Sequence, residues 1–207
     1  MKRLWNPVTV RVQERQEVRG DELTLPVIFD RTIKPHILIL VSIFAASFLA
    51  GTIAPASVRM EVTKAFQFVA STYRDVSGGT LIFYLLANNL MATILIMVSG
   101  LLFGVIPVLA IGTNGFLLGV LYRQVAEIQG YSKAAFQVLP HGVFEIPALL
   151  IAASYGLWLG AMVIRRVQGK ENTPLKFHIG HASRQYLAVV FPLLIIAAAI
   201  ETALIVM

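Results

Sequence analysis

Polar and apolar positions alternate along this chain in long blocks, and five of the apolar blocks approach the roughly 20 residues that a membrane-spanning helix needs. Ile37 to Ala54 carries no charge, and Leu81 to Val98 and Leu101 to Tyr122 are separated only by Ser99-Gly100. Ala134 to Ile164 is too long for one straight span and contains Pro140 and Pro147, so a tilted or broken helix is expected there. Tyr186 to Met207 is the last block. The pattern therefore predicts an all-α polytopic bundle with spans near 36–55, 81–98, 101–122, 135–164 and 186–207, forming one transmembrane domain over residues 35–207.

The remaining segments read differently. Residues 1–34 mix both charge signs and include the alternating stretch Val8-Thr9-Val10-Arg11-Val12, a short strand or extended chain within an N-terminal arm. A cleavable leader places a short basic segment directly before about 7–15 apolar residues; thirty-odd mixed residues stand here instead, so the first span is expected to stay as an anchor. From Val62, the residues Ala65, Phe66, Val69, Tyr73 and Val76 recur at helical spacing, with Glu61, Lys64, Gln67, Arg74 and Asp75 elsewhere on the wheel. That is an amphipathic interfacial helix ending at Ser77-Gly78-Gly79. Arg123 to Lys133 reads as a polar link and Arg165 to Arg184 as a basic loop.

Composition agrees with a membrane protein: 57% of the 207 residues are hydrophobic and only 14% charged, with a mean hydropathy of +0.76. The net charge of +6 needs no nucleic acid, because anionic lipid headgroups account for it and no aromatic-basic nucleic-acid module is present. Lys and Arg number seven in the arm and five between the fourth and fifth spans, against three after the first span and two after the third. By the positive-inside rule the N-terminus is expected in the cytoplasm and the C-terminus across the cell membrane. The chain has no cysteine, which removes disulfides, thiol nucleophiles and thiolate metal sites.

An ionisable side chain at the bilayer centre costs about 3 kcal/mol, so polar residues inside spans need partners or a wet cavity. Asn88, Asn89, Asn114, His141 and Glu145 are the candidates for such an intramembrane polar core. His141 and Glu145 are four apart, one turn on one helical face, where an imidazole can meet a carboxylate. Pro140, Gly142 and Pro147 would break the helix around them and free backbone carbonyls. The five residues suit either a hydrogen-bond network that fixes helix packing or the handling of an ion or substrate. Gly112, Gly115 and Gly119 form a small-residue face on span three, read as a contact within the chain first and a homodimer contact second. Glu201 lies close enough to the end of span five to reach the interface. His178 and His181 read as solvated or lipid-facing residues of the basic loop. No HExxH and no third ligand accompany His141 and Glu145, so neither metal nor cofactor is expected, and no serine is flanked as a nucleophile.

The run Val138-Leu139-Pro140-His141-Gly142-Val143-Phe144-Glu145-Ile146-Pro147-Ala148-Leu149-Leu150-Ile151-Ala152 resembles the signature of the stage II sporulation protein M family. Asn88-Asn89, Gly112-Thr113-Asn114-Gly115 and Gly119 resemble other polar and glycine positions of that family, so the likeness covers roughly Leu81 to Gly160. Members are multi-span membrane proteins, and the namesake anchors a complex that includes peptidoglycan-degrading enzymes during engulfment in spore formers. The resemblance implies a non-enzymatic membrane scaffold, in contact with lipids and with protein partners in the membrane. The alternative is a small transporter, channel or lipid translocator that uses the Asn/His/Glu cluster.

Overall fold

The computed structural model describes residues 30–72 and 78–206; Val8 to Val12 and most of the arm lie outside the described residues. Among the described residues every regular element is helical. In chain order they are α1 (Lys34–Thr52), α2 (Ala56–Thr72), α3 (Gly78–Ser99), α4 (Val105–Gln129), α5 (Tyr131–Pro140), α6 (Ile146–Val167), α7 (Leu175–Gln185) and α8 (Phe191–Val206). Two π-helical turns, His141–Glu145 and Tyr186–Val190, lead into α6 and α8. Five stretches are long and apolar enough to cross a membrane: Lys34–Thr52, Ile82–Ser99, Val105–Gln129, Gly142–Val167 and Leu175–Ile200.

Both π turns have the same local cause. Pro147 and Pro192 each stand two residues beyond the turn, lack an N–H, and would drive their rings into the carbonyl four residues back, that of Val143 or Ala188. One extra residue in the turn relieves the clash while the chain keeps its direction. The break in the fourth span therefore runs from Pro140, the last residue of α5, through Gly142 in the π turn, to Pro147 in the first turn of α6.

Two segments read from the sequence as links are largely helix. Arg123 to Gln129 continues α4, because Arg123 Nε donates to Glu127 Oε1 at 2.8 Å across one turn, which keeps both charges on the helix surface. Of Arg165 to Arg184, only residues 168–174 are non-helical. The C-terminal part is α7, whose Ala182 and Gln185 turn inward one turn apart, so the fifth span begins about ten residues before Tyr186. The amphipathic helix likewise starts at Ala56, earlier than its apolar period, where the Arg59 amide donates to the Pro55 carbonyl at 3.1 Å.

α6 is the central helix: 61% of its span is buried, against 11% for the spans of α1 and α3. One core gathers Met97, Ala148, Ala152, Tyr155, Trp158, Tyr186, Val190 and Leu194 where α3, α6 and α8 meet. A second joins Leu40, Ile111, Leu150 and Ala153 from α1, α4 and α6. α1 lies along α4 at backbone distance, since a methyl group on Gly115 would come within 2.6 Å of the Phe44 carbonyl oxygen and one on Gly119 would strike that of Phe48. The turn between α3 and α4 nests on α6, with Gly100 against Gly156 and Gly104 against Gly160. Gly104 sits there at φ 75° beside Phe103 at φ 58°, a left-handed pair that glycine tolerates and phenylalanine rarely adopts. Leu38, Leu49, Phe83, Met91, Leu95 and Leu109 face outward on the spans, as suits side chains surrounded by hydrocarbon.

Candidate functional site

At the end of the bundle that carries α2, a cavity of about 400 Å3 lies between α1, α2, α4 and the start of α6. Phe44, Phe66, Leu117, Leu118, Leu121, Val125, Ile146 and Leu149 give it apolar walls, and Asn114 and Glu145 are the polar residues among its described lining. Asn114 comes from α4, where its Nδ2 donates to the Ala110 carbonyl at 2.8 Å, one turn back on the same helix. That bond leaves the amide one N–H and its acceptor oxygen. Glu145 is the last residue of the π turn, so the register set by Pro147 decides which way it leaves the helix, and it is engaged within the protein.

The structure thus brings two of the five intramembrane polar candidates to one cavity. Asn88 is exposed and Asn89 half-buried on α3, and neither is among the described residues lining it. The backbone of His141 opens the π turn; its side chain, like that of Glu201, lies outside the described part of the structure. Gly112 faces Ser47 Oγ and Ile43 of α1, while Gly115 and Gly119 meet the α1 backbone.

The other end of the bundle holds a polar junction. Asp30 Oδ2 accepts from Tyr155 Oη at 3.1 Å and is 2.5 Å from His181 Nε2, while Oδ1 accepts from the Thr32 amide at 2.9 Å. Trp158 presents its ring to both histidines, 5.3 Å from His178 and 5.7 Å from His181, and Tyr155 stacks edge-on to Trp158 and His181. Glu171 Oε1 lies 3.9 Å from His178 Nε2. One carboxylate therefore ties the entry of α1 to α6 and α7. Burial pushes the Asp30 carboxyl up, but the Thr32 amide and His181 outweigh it, and the group sits below the ordinary carboxylate range. Nearby, Tyr186 Oη and Thr93 Oγ1 share a buried hydrogen bond of 2.7 Å that joins α8's π turn to α3.

Sequence reasoning missed this junction. Asp30 belongs to the charged arm and the two histidines to the basic segment; contrary to the expectation of solvated or lipid-facing side chains, both lie against Trp158, and His181 meets Asp30. The three-residue spacing of His178 and His181 was the one local sign of a shared helical face. Among the described residues no group of three or more His, Cys, Asp or Glu is placed to hold a metal ion.

A family model described as Stage II sporulation protein M matches residues 36–204. An uncharacterized protein of Methanocaldococcus jannaschii is 33% identical over 92 residues, which is 44% of this chain and 52% of that protein, so the chain spans about half the length of this relative. No solved structure matches.

Proposed function

Because the chain belongs to the Stage II sporulation protein M family, we propose that it serves as a non-enzymatic membrane scaffold that holds partner proteins at the cell envelope. Family membership over most of the chain carries this reading, and the build of the bundle supports it. Backbone contacts between α1 and α4, the nesting of the α3–α4 turn on α6 and the Asp30 junction make a stiff core. Against that core α2 is held by Arg59, which donates to the Ala54 carbonyl at 2.9 Å and to Glu127 on α4 at 3.1 Å. Exposed Val58, Met60, Phe66 and Phe68 on α2 offer an apolar surface beside the bundle. Membrane lipids and protein partners in the membrane are its contacts, and a second copy of the chain is a further candidate. The basic loop and N-terminal arm lie on the cytoplasmic side in this reading, with cell-envelope remodelling in spore formers the setting the family name suggests.

The test is photocrosslinking in the native membrane from position 68, where Phe68 is 76% exposed. A scaffold gives one discrete protein adduct in near-stoichiometric yield, lost when the crosslinker is moved to the buried position 155. Lipid adducts alone, at every exposed position tried, would sink the reading.

A second reading, a transporter or lipid translocator, is favoured by the cavity that Asn114 and Glu145 share. Its test is flux: lipid scrambling or solute uptake in proteoliposomes, lowered at least severalfold by Glu145→Gln in a protein that still folds. Absence of flux for every species tried removes it.

A further inference from the structure

We propose that the outer face of α3 is a self-association surface, on which two copies of the chain pack α3 against α3 in parallel, with their two Asn88 carboxamides hydrogen-bonded to each other. The inference stands apart from the scaffold reading, because it places a contact between copies whatever else the chain holds. Asn88 is the anomaly of this face. It lies about 9 Å along the helix from Ile82, the start of the apolar stretch that ends at Ser99, too deep for so short a side chain to reach the interface. The side chain is exposed, and no hydrogen bond joins it to the described residues. Hydrocarbon tails offer its two N–H groups and its carbonyl nothing in return. Other outward polar groups are already bonded to their own helix: Ser42 Oγ donates to the Leu38 carbonyl at 2.9 Å, and Asn114 Nδ2 to that of Ala110 at 2.8 Å.

The residues around Asn88 repeat at the spacing of a helix-helix seam. Tyr84, Asn88, Met91, Leu95 and Val98 follow one another at intervals of four, three, four and three, and all are exposed. That average of about 3.5 residues keeps them on one line when two helices wind around each other left-handedly. α3 uses its opposite side for its own bundle, where Leu86, Leu90 and Met97 join the core and Thr93 meets Tyr186.

Self-complementarity selects a second copy as the occupant. Copies inserted in one orientation present α3 in parallel, and a twofold axis along the membrane normal sets each seam residue against its own equivalent. Apolar residues meet their own kind without conflict. Asparagine does so as well, because its carboxamide both donates and accepts, so two of them satisfy each other. A single asparagine at such a seam position also fixes the register of the pair. A different protein would have to carry a matching polar group at the same depth, which a second copy does by construction. The glycine face of α4, the other place where copies could meet, is filled by α1 at Gly115 and Gly119.

The test uses the full-length chain, whose lack of cysteine lets single cysteines report contacts in the native membrane. On oxidation with copper phenanthroline, Met91→Cys, Leu95→Cys and Val98→Cys should give disulfide-linked dimers severalfold more readily than Leu49→Cys and Leu109→Cys, which are exposed on α1 and α4. Energy transfer between labelled copies in phosphatidylcholine vesicles, over a range of protein-to-lipid ratios, then gives the dissociation constant of the dimer. Asn88→Leu should raise it about tenfold, the factor that one interhelical hydrogen bond in a membrane represents. Asn88→Gln, which keeps both donor and acceptor, should raise it much less. Asn88 is exposed, so both variants are expected to fold, and unchanged thermal melts in detergent check this. No energy transfer at any ratio, an unchanged constant for Asn88→Leu, crosslinking as strong from positions 49 and 109, or an adduct of α3 with a different protein in place of the dimer overturns the proposal. A dimer with the expected pattern upholds it even where position 68 captures only lipid, the result that sinks the scaffold reading.

Discussion

Replacing Asp30 by alanine is expected to lower the stability of the bundle by about 3 kcal/mol, although the residue precedes the first span. The carboxylate is only 13% exposed and receives three hydrogen bonds: from the Thr32 amide, from Tyr155 Oη and from His181. His181, 30% exposed, can turn to water after the substitution, so its loss is partial. Tyr155 is 2% exposed and has no such route, and a buried hydroxyl left without an acceptor costs about 1–3 kcal/mol. Adding roughly 1.5 kcal/mol for the charged hydrogen bond to His181 gives the stated figure. The assay is reversible unfolding in mixed detergent micelles, run as a double-mutant cycle with Tyr155→Phe. If the Tyr155 contact carries the effect, the two changes should couple by at least about 1 kcal/mol, because the phenylalanine variant no longer has a hydroxyl to orphan. The pH dependence follows from the lowered Asp30 group. Its contribution is complete above the unfolded value of about 3.9 and is lost as pH falls through the folded value, so the wild type should lose more stability than Asp30→Asn as the pH is lowered below about 4. An Asp30→Ala protein within 0.5 kcal/mol of wild type, or strictly additive single changes, would refute the argument.

Gly119→Ala should cost about 1–3 kcal/mol, since its methyl group meets the Phe48 carbonyl, whereas Gly180→Ala, with open space around it in α7, should be neutral or stabilising by up to about 1 kcal/mol; thermal melts in detergent compare the two. Arg59→Ala should change global stability by only about 1 kcal/mol yet speed hydrogen exchange in α2 selectively, because a half-exposed ion pair contributes little to the whole while holding that helix in place. Tyr186→Phe removes the hydroxyl shared with Thr93 and should cost about 1 kcal/mol by the same unfolding assay; Thr93 keeps the Asn89 carbonyl 2.7 Å away as its acceptor. As the chain has no cysteine, single cysteines report sidedness: Lys170→Cys should be shielded from an impermeant maleimide in intact cells and Ser132→Cys labelled, and the reverse pattern would invert the topology.

Much of the architecture was legible because hydrocarbon imposes a one-dimensional rule. A span must be apolar for about 20 residues, and no tertiary detail is needed to see that Ile37 to Ala54 or Leu81 to Val98 meets it. The rule weakens where a span extends beyond the hydrocarbon. α4 carries Arg123 and Glu127 because their pairing lets the helix run on in polar surroundings, and α7 carries His178, His181 and Arg184, so a reading by charge ended the one span too early and began the other too late. The prolines are legible as disturbances of a helix, but not their outcome: two residues beyond a turn, Pro147 and Pro192 widen the helix into π geometry without ending it, and a proline that ends a helix looks the same in the sequence.

The candidate site divides along the same line. Asn114 and Glu145 stood out because each is polar in an apolar run, a local anomaly that composition exposes; that they line one cavity depends on the crossing of α4 and α6, which the sequence does not state. Asp30 and His181 are 151 residues apart, and neither is anomalous where it stands, an acid in a charged arm and a histidine in a basic segment. What makes them partners is the end of the chain's excursion through the membrane, which returns α7 beside the entry of α1. In a bundle of this kind the polar groups within the spans are visible as exceptions, whereas those at its ends look like ordinary loop residues until the helices are in place. The Asp30 junction is therefore the kind of feature a span-by-span reading passes over, and its three hydrogen bonds make it the natural first target for testing how the bundle is held together.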